Sequence, residues 1–297
     1  MSYPITTSLN VVKELQWVKE TTRGSTPSGP SFAAVPTQEF GPKPSIENIK
    51  YRKLGSPDLY KGIKVREVYD FNITYAPIDS NLLQHLINLT GGTHNRDTYY
   101  TFLISQLHNN AGTLTEMYQI ARGCSVNSVT ITVNSGEVVM VDSEWIANSV
   151  ADWVTAHGLT TPTFASALTA TPWSTVTTGS NPLTWNGANY DVRNFTVTVD
   201  QNPDRVQVVG QTQTTWIQAT TRDITFQMDV VWKDTTLQTD AKAHTPRTMS
   251  FQLNSTGPTT LSFTEAAIED YDETVNATST EAKVVRYTGY ANSLSIN

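Results

Sequence analysis

The stretch "CSVNSVTITVNSGEVVMVDSEWIA", Cys124 to Ala147, has the pattern of a β-hairpin. Valine and isoleucine recur at every second position from Val129 to Val133, and threonine fills the positions between them. This alternation places apolar side chains on one face of a strand and polar side chains on the other. Asn134-Ser135-Gly136 then supplies a tight turn before a second apolar segment. The stretch predicts two antiparallel strands with one buried face.

The composition extends this prediction to the rest of the chain. Of the 297 residues, 46 are threonine, whose β-branched and polar side chain suits the solvated face of a strand. Hydrophobic residues make up 38% and charged residues 16%, and the length is enough for one large domain or two modest ones. We therefore predict a mainly β protein.

Two internal similarities compete as signs of a duplication. The segment "VRNFTVTVDQNPDRVQVVGQ", Val192 to Gln211, repeats the hairpin pattern 66 residues after Val126. In addition, the order strand, capped helix, strand occurs twice, with the acidic cap residues Asp79 and Asp234 lying 155 residues apart. The offset of 155 preserves the order of elements and carries more weight. The offset of 66 is explained equally well by two unrelated hairpins that obey the same strand rules.

The composition also divides the chain into three parts. Residues 1–147 are the first predicted β module, with an N-terminal arm and a long loop at 41–66. Residues 148–189 are rich in threonine, serine, proline and glycine, which predicts a linker or a long surface loop. Residues 190–297 are the second predicted β module. In the first module, "DSNLLQHLINL" changes to a helical period, so a helix is expected beside the strands.

Residues 41–66 have a local charge that differs from the rest of the chain. They contain seven cations and two anions, whereas the whole chain has a net charge of −7. Proline and glycine at both ends and in the middle predict a long hairpin-like loop between two strands. Apolar residues such as Ile49, Tyr51 and Ile63 give this loop the means to bury itself against a neighbour. The candidate contact residues are Lys50, Arg52, Lys53, Lys61, Lys64 and Arg66.

The sequence shows no pattern typical of catalysis or metal binding. It has no glycine-rich phosphate loop and no GxSxG motif, and its histidines lack metal-ligand spacing; His85 is expected at the boundary of a helix. The single cysteine, Cys124, excludes an internal disulfide and is expected to be a small buried hydrophobe. The acidic cluster from Glu265 to Glu273 lacks the spacing of a calcium loop and predicts a solvated loop. We expect no enzymatic activity, no cofactor and no metal.

Charge and terminal composition limit the expected partners further. The net charge of −7 gives no sign of affinity for nucleic acid phosphates. No apolar run approaches the ~20 residues that cross a bilayer. The start of the chain lacks the basic and apolar regions of a signal peptide. Neither a membrane anchor nor export is expected.

Four segments, taken in order, resemble a known family. They are "WVKETTRGSTPSGPSFAAVP", "YRKLGSPD", "VYDFNITYAPIDSNLLQHLI" and the opening hairpin. Together they are similar to the major tail tube protein of tailed bacteriophages and related viruses, from about Trp17 to Asn292. The resemblance implies two packed antiparallel sheets in a sandwich or open barrel, a flanking α-helix and a long projecting loop, present either once, as a decorated module, or twice, as a duplication.

The same resemblance implies a function, partners and a location. Subunits would join edge to edge into rings, and the rings would stack into a hollow tail tube through which the genome is delivered. The candidate contact residues of the loop at 41–66 would then touch the adjacent ring; the alternative is a solvated basic surface loop. The implied partners are further copies of the chain and the tail terminator, baseplate or tip, and tape-measure proteins, while genomic DNA passes without specific binding. The protein would be assembled in the host cytoplasm and reside in the virion tail. A duplicated chain would close a pseudo-sixfold ring from three copies, and an unduplicated chain from six.

Two other functions are compatible with the same residues. A β-sandwich that binds carbohydrate, as in a tail fibre, is favoured by the seven tryptophans and by a surface rich in threonine, serine and asparagine. The tube protein of a contractile injection system shares the implied fold. An enzyme is disfavoured because no catalytic motif is present.

Overall fold

The structure is a computed structural model that describes residues 11–40, 43–52, 59–87, 98–110, 113–165, 172–173, 182–206, 216–219, 221–254, 259–273 and 282–297. Within them the chain is mainly β, as predicted, with two short helices. The first half contains β1 (Val11–Lys19), β2 (Ala33–Val35), β3 (Thr37–Phe40), β4 (Lys43–Arg52), β5 (Leu59–Tyr75), α1 (Asn81–Ile87), β6 (Tyr100–Asn110), β7 (Thr113–Asn134), β8 (Met140–Ala147) and β9 (Ser149–Val150). The second half contains β10 (Leu183–Trp185), β11 (Ala188–Tyr190), β12 (Val192–Asp200), β13 (Pro203–Val206), β14 (Trp216–Ala219), β15 (Asp223–Val231), α2 (Thr236–Ala243), β16 (Arg247–Gln252), β17 (Thr260–Asp272), β18 (Val284–Tyr290) and β19 (Ser293–Ile296).

A central antiparallel sheet runs through both halves of the chain. Its strands follow one another in the order β3 with β4, β5, β8, β7, β12, β15, β18 and β17. Strands β7 and β12 are the neighbours at which the two halves meet. The opening hairpin is confirmed, because β7 and β8 pair from Ser125↔Ile146 to Thr132↔Met140.

Each half also has a flanking sheet that shares one long strand with the central sheet. The order is β2, β1, β6, β7 and β9 in the first half, and β11, β10, β16, β17 and β19 in the second. The shared strands β7 and β17 each have an irregularity with a left-handed residue, at Gly123 (φ 62°) and Glu265 (φ 49°). An irregularity of this kind bends a strand and lets it pass from one sheet to the next.

The core lies between the central sheet and the two flanking sheets. In the first half, the Phe102 ring of β6 is 4.8 Å from the Trp145 ring of β8 and 5.8 Å from the Phe71 ring of β5. In the second half, Phe195 of β12 stacks on Phe251 of β16 with ring centroids 4.1 Å apart. Aromatic contacts across the layers bury large apolar areas. The predicted packing of two antiparallel sheets is therefore confirmed.

The helix prediction is also confirmed, and a second helix takes the same place in the second half. Four residues of α1 are buried, namely Leu82, Leu83, Leu86 and Ile87. Asp79 accepts a hydrogen bond from the N–H of Asn81 (2.9 Å), and Asp234 accepts one from the N–H of Thr236 (2.9 Å) at the start of α2. An aspartate that accepts from a free N–H stabilises the start of a helix.

The strand pairings of the first half recur in the second half. The corresponding strands of the first and second halves are β1 and β10, β2 and β11, β5 and β15, β6 and β16, β7 and β17, β8 and β18, and β9 and β19. Strand β12 corresponds to β3 together with the start of β4. The register agrees as well. Thr37 pairs with Tyr75 and Val192 pairs with Val230, each 155 residues after its counterpart, and both ladders have a bulge at the next position.

The structure differs from the sequence prediction in the segment after residue 190 and in the predicted linker. Within the described residues 192–206 of the segment Val192 to Gln211, the strands do not pair with each other as a hairpin, because β12 pairs with β7 and β15, and β13 pairs with β14. The similarity at an offset of 66 therefore does not correspond to equivalent hairpins. The predicted linker 148–189 contains β9, β10 and the first two residues of β11. The division into modules at 147 and 190 stays a prediction.

Candidate assembly surfaces

The basic segment 41–66 belongs to a long two-stranded hairpin. Strand β4 pairs with β5 over its whole length, from Lys43↔Asp70 to Arg52↔Leu59, and β5 continues without a break into the central sheet. The predicted loop between two strands is thus largely an extension of those strands. We call residues 43–66 the basic hairpin.

The basic hairpin contains the predicted contact residues. Lys50 and Arg52 lie on β4, whereas Lys61, Lys64 and Arg66 lie on β5. Lys53 lies outside the described residues. In the ladder, Lys50 is opposite Gly62, Lys61 opposite Tyr51, Lys64 opposite Asn48 and Arg66 opposite Glu47. The hairpin brings these five cations into one ladder, but their contact with another ring stays a prediction.

A second hairpin occupies the corresponding place in the second half. Strands β13 and β14 pair from Pro203↔Ala219 to Val206↔Trp216. The equivalent residues of the basic hairpin pair from Asn48↔Lys64 to Tyr51↔Lys61, which is the same register 155 residues earlier. The charge differs, because residues 196–221 contain one cation, Arg205, and two anions. The two hairpins therefore share a backbone arrangement and differ in charge.

The joint between the two halves is a strand-to-strand contact, which we call the internal joint. Strands β7 and β12 pair from Asn134↔Asn194 to Ser128↔Asp200. The hydroxyls of Thr130 and Thr198 lie 3.1 Å apart, within hydrogen-bonding distance. Threonine pairs opposite each other stabilise a sheet beyond its backbone bonds.

A second contact, at the end of helix α1, reinforces the internal joint. The Arg222 guanidinium, just before β15, donates a hydrogen bond to the carbonyl of Ile87 (2.7 Å). The Gln201 amide, just after β12, donates to the carbonyl of Leu86 (3.2 Å). The last carbonyls of a helix lack partners within the helix and interact favourably with a cation. The joint thus combines a sheet ladder with a helix terminus.

The central sheet has an open edge at each end. Among the described residues, β3 and β4 pair on one side only, with β5, and Asp270 to Asp272 of β17 pair on one side only, with β18. These edges correspond to the two strands of the internal joint. Both carry features that limit uncontrolled pairing, namely Pro44 in β4 and the exposed Asp270 and Asp272 in β17.

Cys124 and His85, which were considered as a nucleophile and a metal ligand, are packed against other side chains of the protein. Cys124 is fully buried, and burial raises the pKa of its thiol well above the usual value, which opposes thiolate formation. His85 is half-buried with its ring 5.0 Å from that of Trp17, and burial lowers the pKa of its imidazole. Both observations agree with the predicted buried cysteine and boundary histidine.

The acidic cluster is exposed to solvent, as predicted, but it lies mostly on a strand and not in a loop. All but the last of its acidic residues lie on β17, where the alternation of "TLSFTEAAIEDYD" is interrupted at Glu265. Across the described residues, no group of three or more His, Cys, Asp or Glu is arranged to hold a metal ion. Within the same residues, no helix is long and apolar enough to span a membrane.

The sequence did not identify the internal joint. Its signal was nevertheless present, because the offset of 155 aligns Thr37 and Phe40 with Val192 and Phe195. Extending the match from the helices to these strands would have assigned β12 to the sheet edge of the second half. Which strand lies beside that edge depends on the three-dimensional arrangement.

In the described part of the chain, the central sheet is open at both ends and the two halves are already joined edge to edge, which is the arrangement of a structural protein suited to assembly. The chain belongs to the phage tail tube protein family, since the sequence model described as "Phage tail tube protein" matches residues 12–296. A search of individually curated proteins finds no match. The protein is therefore a structural component of the virion tail, as the resemblance implied. The family favours self-assembly into a tube, contact with other tail components and a non-enzymatic role.

Proposed function

We propose that the protein forms the tail tube as stacked rings, each closed by three chains that contribute two β modules apiece. The observation that carries the proposal is the recurrence of the same strand register in both halves. The first module comprises β1 to β9 and the second β10 to β19, which moves the second boundary from 190 to 183. Six equivalent modules then close the pseudo-sixfold ring that the resemblance implies.

Genomic DNA passes through the channel of this tube without specific binding. Residues 151–297 contain 8 cations and 14 anions, and residues 1–150 contain 12 and 13. An acidic wall repels phosphates and favours passage over retention. The ends of the tube contact the terminator, the baseplate or tip and the tape-measure protein, and assembly takes place in the host cytoplasm.

Electron microscopy of the purified protein tests the function directly. We expect rings and tubes with an open channel, and native mass spectrometry of single rings is expected to give the mass of three chains. A chain that remains monomeric at high concentration and forms no tube would contradict the proposal. Tubes that bind duplex DNA tightly and release it with salt would contradict the passive channel.

The basic hairpin connects one ring to the next in this proposal. Its local charge is opposite to that of the chain as a whole, so an adjacent ring offers a complementary surface. Contacts repeated around a ring add up, so a small loss in each subunit strongly reduces stacking.

The second hairpin provides a matched control for this role. We expect that Lys50→Glu with Arg52→Glu leaves rings intact and prevents tube growth. Arg205→Glu with Gln207→Glu places the same acidic residues at the equivalent positions and is expected to leave tube growth in place. Tubes of normal length from the first variant, measured by negative-stain microscopy, would show that the basic hairpin does not join rings.

A further inference from the structure

We propose that neighbouring chains in a ring join by pairing β17 of one copy with the β3–β4 edge of the next, in the register of the internal joint, and that two opposite-charge pairs stabilise this contact. We call it the outer seam. The inference rests on the proposed ring and adds its partner surface and register. The occupant of each open edge is thus a second copy of the same chain.

The register of the outer seam follows from the correspondence of strands. The edge strand β12 corresponds to positions 155 residues earlier, so Thr198, Val199 and Asp200 correspond to Lys43, Pro44 and Ser45. Strand β7 corresponds to β17, because Val126 pairs with Trp145 as Ile268 pairs with Gly289, with the bulge at the next position in both ladders. Thr130, Val129 and Ser128 therefore correspond to Asp272, Tyr271 and Asp270. The predicted seam pairs are Lys43↔Asp272, Pro44↔Tyr271 and Ser45↔Asp270.

The first charge pair replaces a threonine pair. At the internal joint, Thr198 is opposite Thr130 and their hydroxyls are 3.1 Å apart. At the outer seam, the same two positions hold Lys43 and Asp272. Directly opposed residues of antiparallel strands lie close enough for opposite charges to attract. The charges favour the correct partner in this register, whereas two copies of the same edge would bring like charges together.

The second charge pair lies at the helix beside the seam. At the internal joint, Arg222 donates to the carbonyl of Ile87 at the end of α1. The corresponding positions at the outer seam are Glu67, which is half-buried, and Lys242, which is exposed in the last turn of α2. The cation has moved from the strand side to the helix side, and an anion takes its former place. The strand side, with Glu67, and the helix side, with Lys242, therefore carry opposite charges at the outer seam.

Pro44 limits the backbone bonds that the outer seam can form. The N–H of Gln201 donates to Asn127 of β7 (2.8 Å). Alternate residues of a strand face the same neighbour, so Val199 faces β7 as well. Pro44 occupies the position that corresponds to Val199 and has no N–H. The open edge is therefore a poor template for arbitrary strands, and the charge pairs provide the selectivity.

Cysteine cross-linking tests the register in the full chain. Opposed residues in an antiparallel ladder have Cα atoms about 4.5–5.5 Å apart, within the range for a disulfide. We expect that Ser45→Cys with Asp270→Cys links chains into closed rings under oxidising conditions, seen as oligomers on non-reducing gels. Ser45→Cys with Tyr271→Cys is shifted by one residue and is expected to link poorly. The native Cys124 is fully buried and does not compete.

Charge exchange tests the pairs themselves. We expect Lys43→Asp alone, or Asp272→Lys alone, to raise the concentration needed for ring formation about tenfold, and the double variant to recover most of the loss. The unfolding temperature of the unassembled chains checks that each variant is folded. The single variants Glu67→Lys and Lys242→Glu are also expected to raise the concentration needed for ring formation, and their double variant is expected to recover most of the loss.

The outcomes separate this inference from the proposed function. Rings or tubes that form normally but show no cross-link between positions 45 and 270 would overturn the seam and leave the tube function in place. Equal cross-linking of the shifted pair, or no recovery in either double charge variant, would also overturn it. The absence of rings and tubes from the unaltered chain would overturn the proposed function itself.

Discussion

Gly289 of β18 lies so close to β17 and to the Phe226 ring that no larger residue fits without a shift of its neighbours. A Cβ at this position would lie 2.1 Å from the carbonyl oxygen of Ala267 and 2.6 Å from the Phe226 ring. The corresponding position in the first half holds Trp145, whose ring is parallel to that of Phe71 at 6.3 Å. The two halves thus fill equivalent places in the core with different side chains.

We expect Gly289→Ala to lower the free energy of unfolding by about 3 kcal/mol, because the added methyl group meets the backbone of β17 as well as a side chain. Thr288→Ala, at the half-buried neighbouring position, is expected to cost less than about 1 kcal/mol. Urea unfolding of the unassembled chain measures both. Similar losses for the two variants would contradict the close approach.

The positions of Asp229 and Arg286 are joined by side-chain hydrogen bonds in both halves, but the residue types differ between the halves. Asp229 accepts hydrogen bonds from the Arg286 guanidinium at 2.8 and 3.2 Å. The corresponding residues, Thr74 and Asp142, are joined by a hydrogen bond of 2.6 Å. The hydrogen bond from Arg286 lowers the pKa of Asp229; burial opposes this change, and the hydrogen bond from Asn194 adds to it.

This pKa shift predicts a loss of stability in acid. The pKa in the folded state is below the unfolded value of about 3.9, so the contribution is complete above that value and is lost as the pH falls through the folded pKa. Because Arg286 is 55% exposed, the contribution is screened and amounts to about 1 kcal/mol. We expect Asp229→Asn to be less stable than the parent at pH 7 and to lose less stability between pH 5 and pH 2. Arg286→Gln should flatten the profile in the same way, and a profile as steep as the parent's in both variants would contradict the assignment.

At the scale of elements, the sequence predicted those whose pattern is local. The hairpin β7–β8, the buried stripe of α1 and the strand, helix and strand order of both halves follow from periodicity. The hairpin β10–β11 was missed, although Asn186-Gly187 in "LTWNGANY" is a strong turn signal with φ values of 50° and 82°. Its strands are only three residues long and lie in a segment whose composition indicates a linker. Short strands gain their stability from pairing with β16, which periodicity does not report.

The turn between β10 and β11 is expected to tolerate a large insertion. Asn186 and Gly187 join Trp185 to Ala188, whereas residues 18–32 join Trp17 to Ala33 at the corresponding place in the first half. Lengthening the turn with a Gly-Ser segment to the size of 18–32 should cost about 2 kcal/mol of closure entropy and preserve the fold. Circular dichroism and urea unfolding measure this. Loss of the folded state would show that the two turns are not equivalent, and the same insertion inside β12 is a control that should prevent folding.

At the scale of the whole molecule, the two halves share a backbone plan and differ in charge. Residues 1–150 have a net charge of −1 and residues 151–297 a net charge of −6. The sequence revealed this imbalance and the offset of 155, but it did not reveal which strand of each half forms the internal joint. That choice depends on contacts between residues far apart in the chain, such as Thr130 with Thr198. A ring made of such chains alternates two kinds of module around its circumference.

This alternation predicts the symmetry of the assembled tube. The basic hairpin occurs once in each chain, and the second hairpin at the equivalent place lacks its excess of cations. A ring of three chains therefore presents three basic hairpins, separated by three others. In the proposed stacking through the basic hairpins, successive rings should align these three positions and not all six. Cryo-electron microscopy of tubes should show threefold symmetry with a pseudo-sixfold backbone, whereas six identical subunits in each ring would contradict the duplication.

Replacing residues 43–66 by residues 198–221 makes the two hairpins alike within each chain. This variant should form rings that stack poorly, because the contacts that select the threefold alignment have been removed.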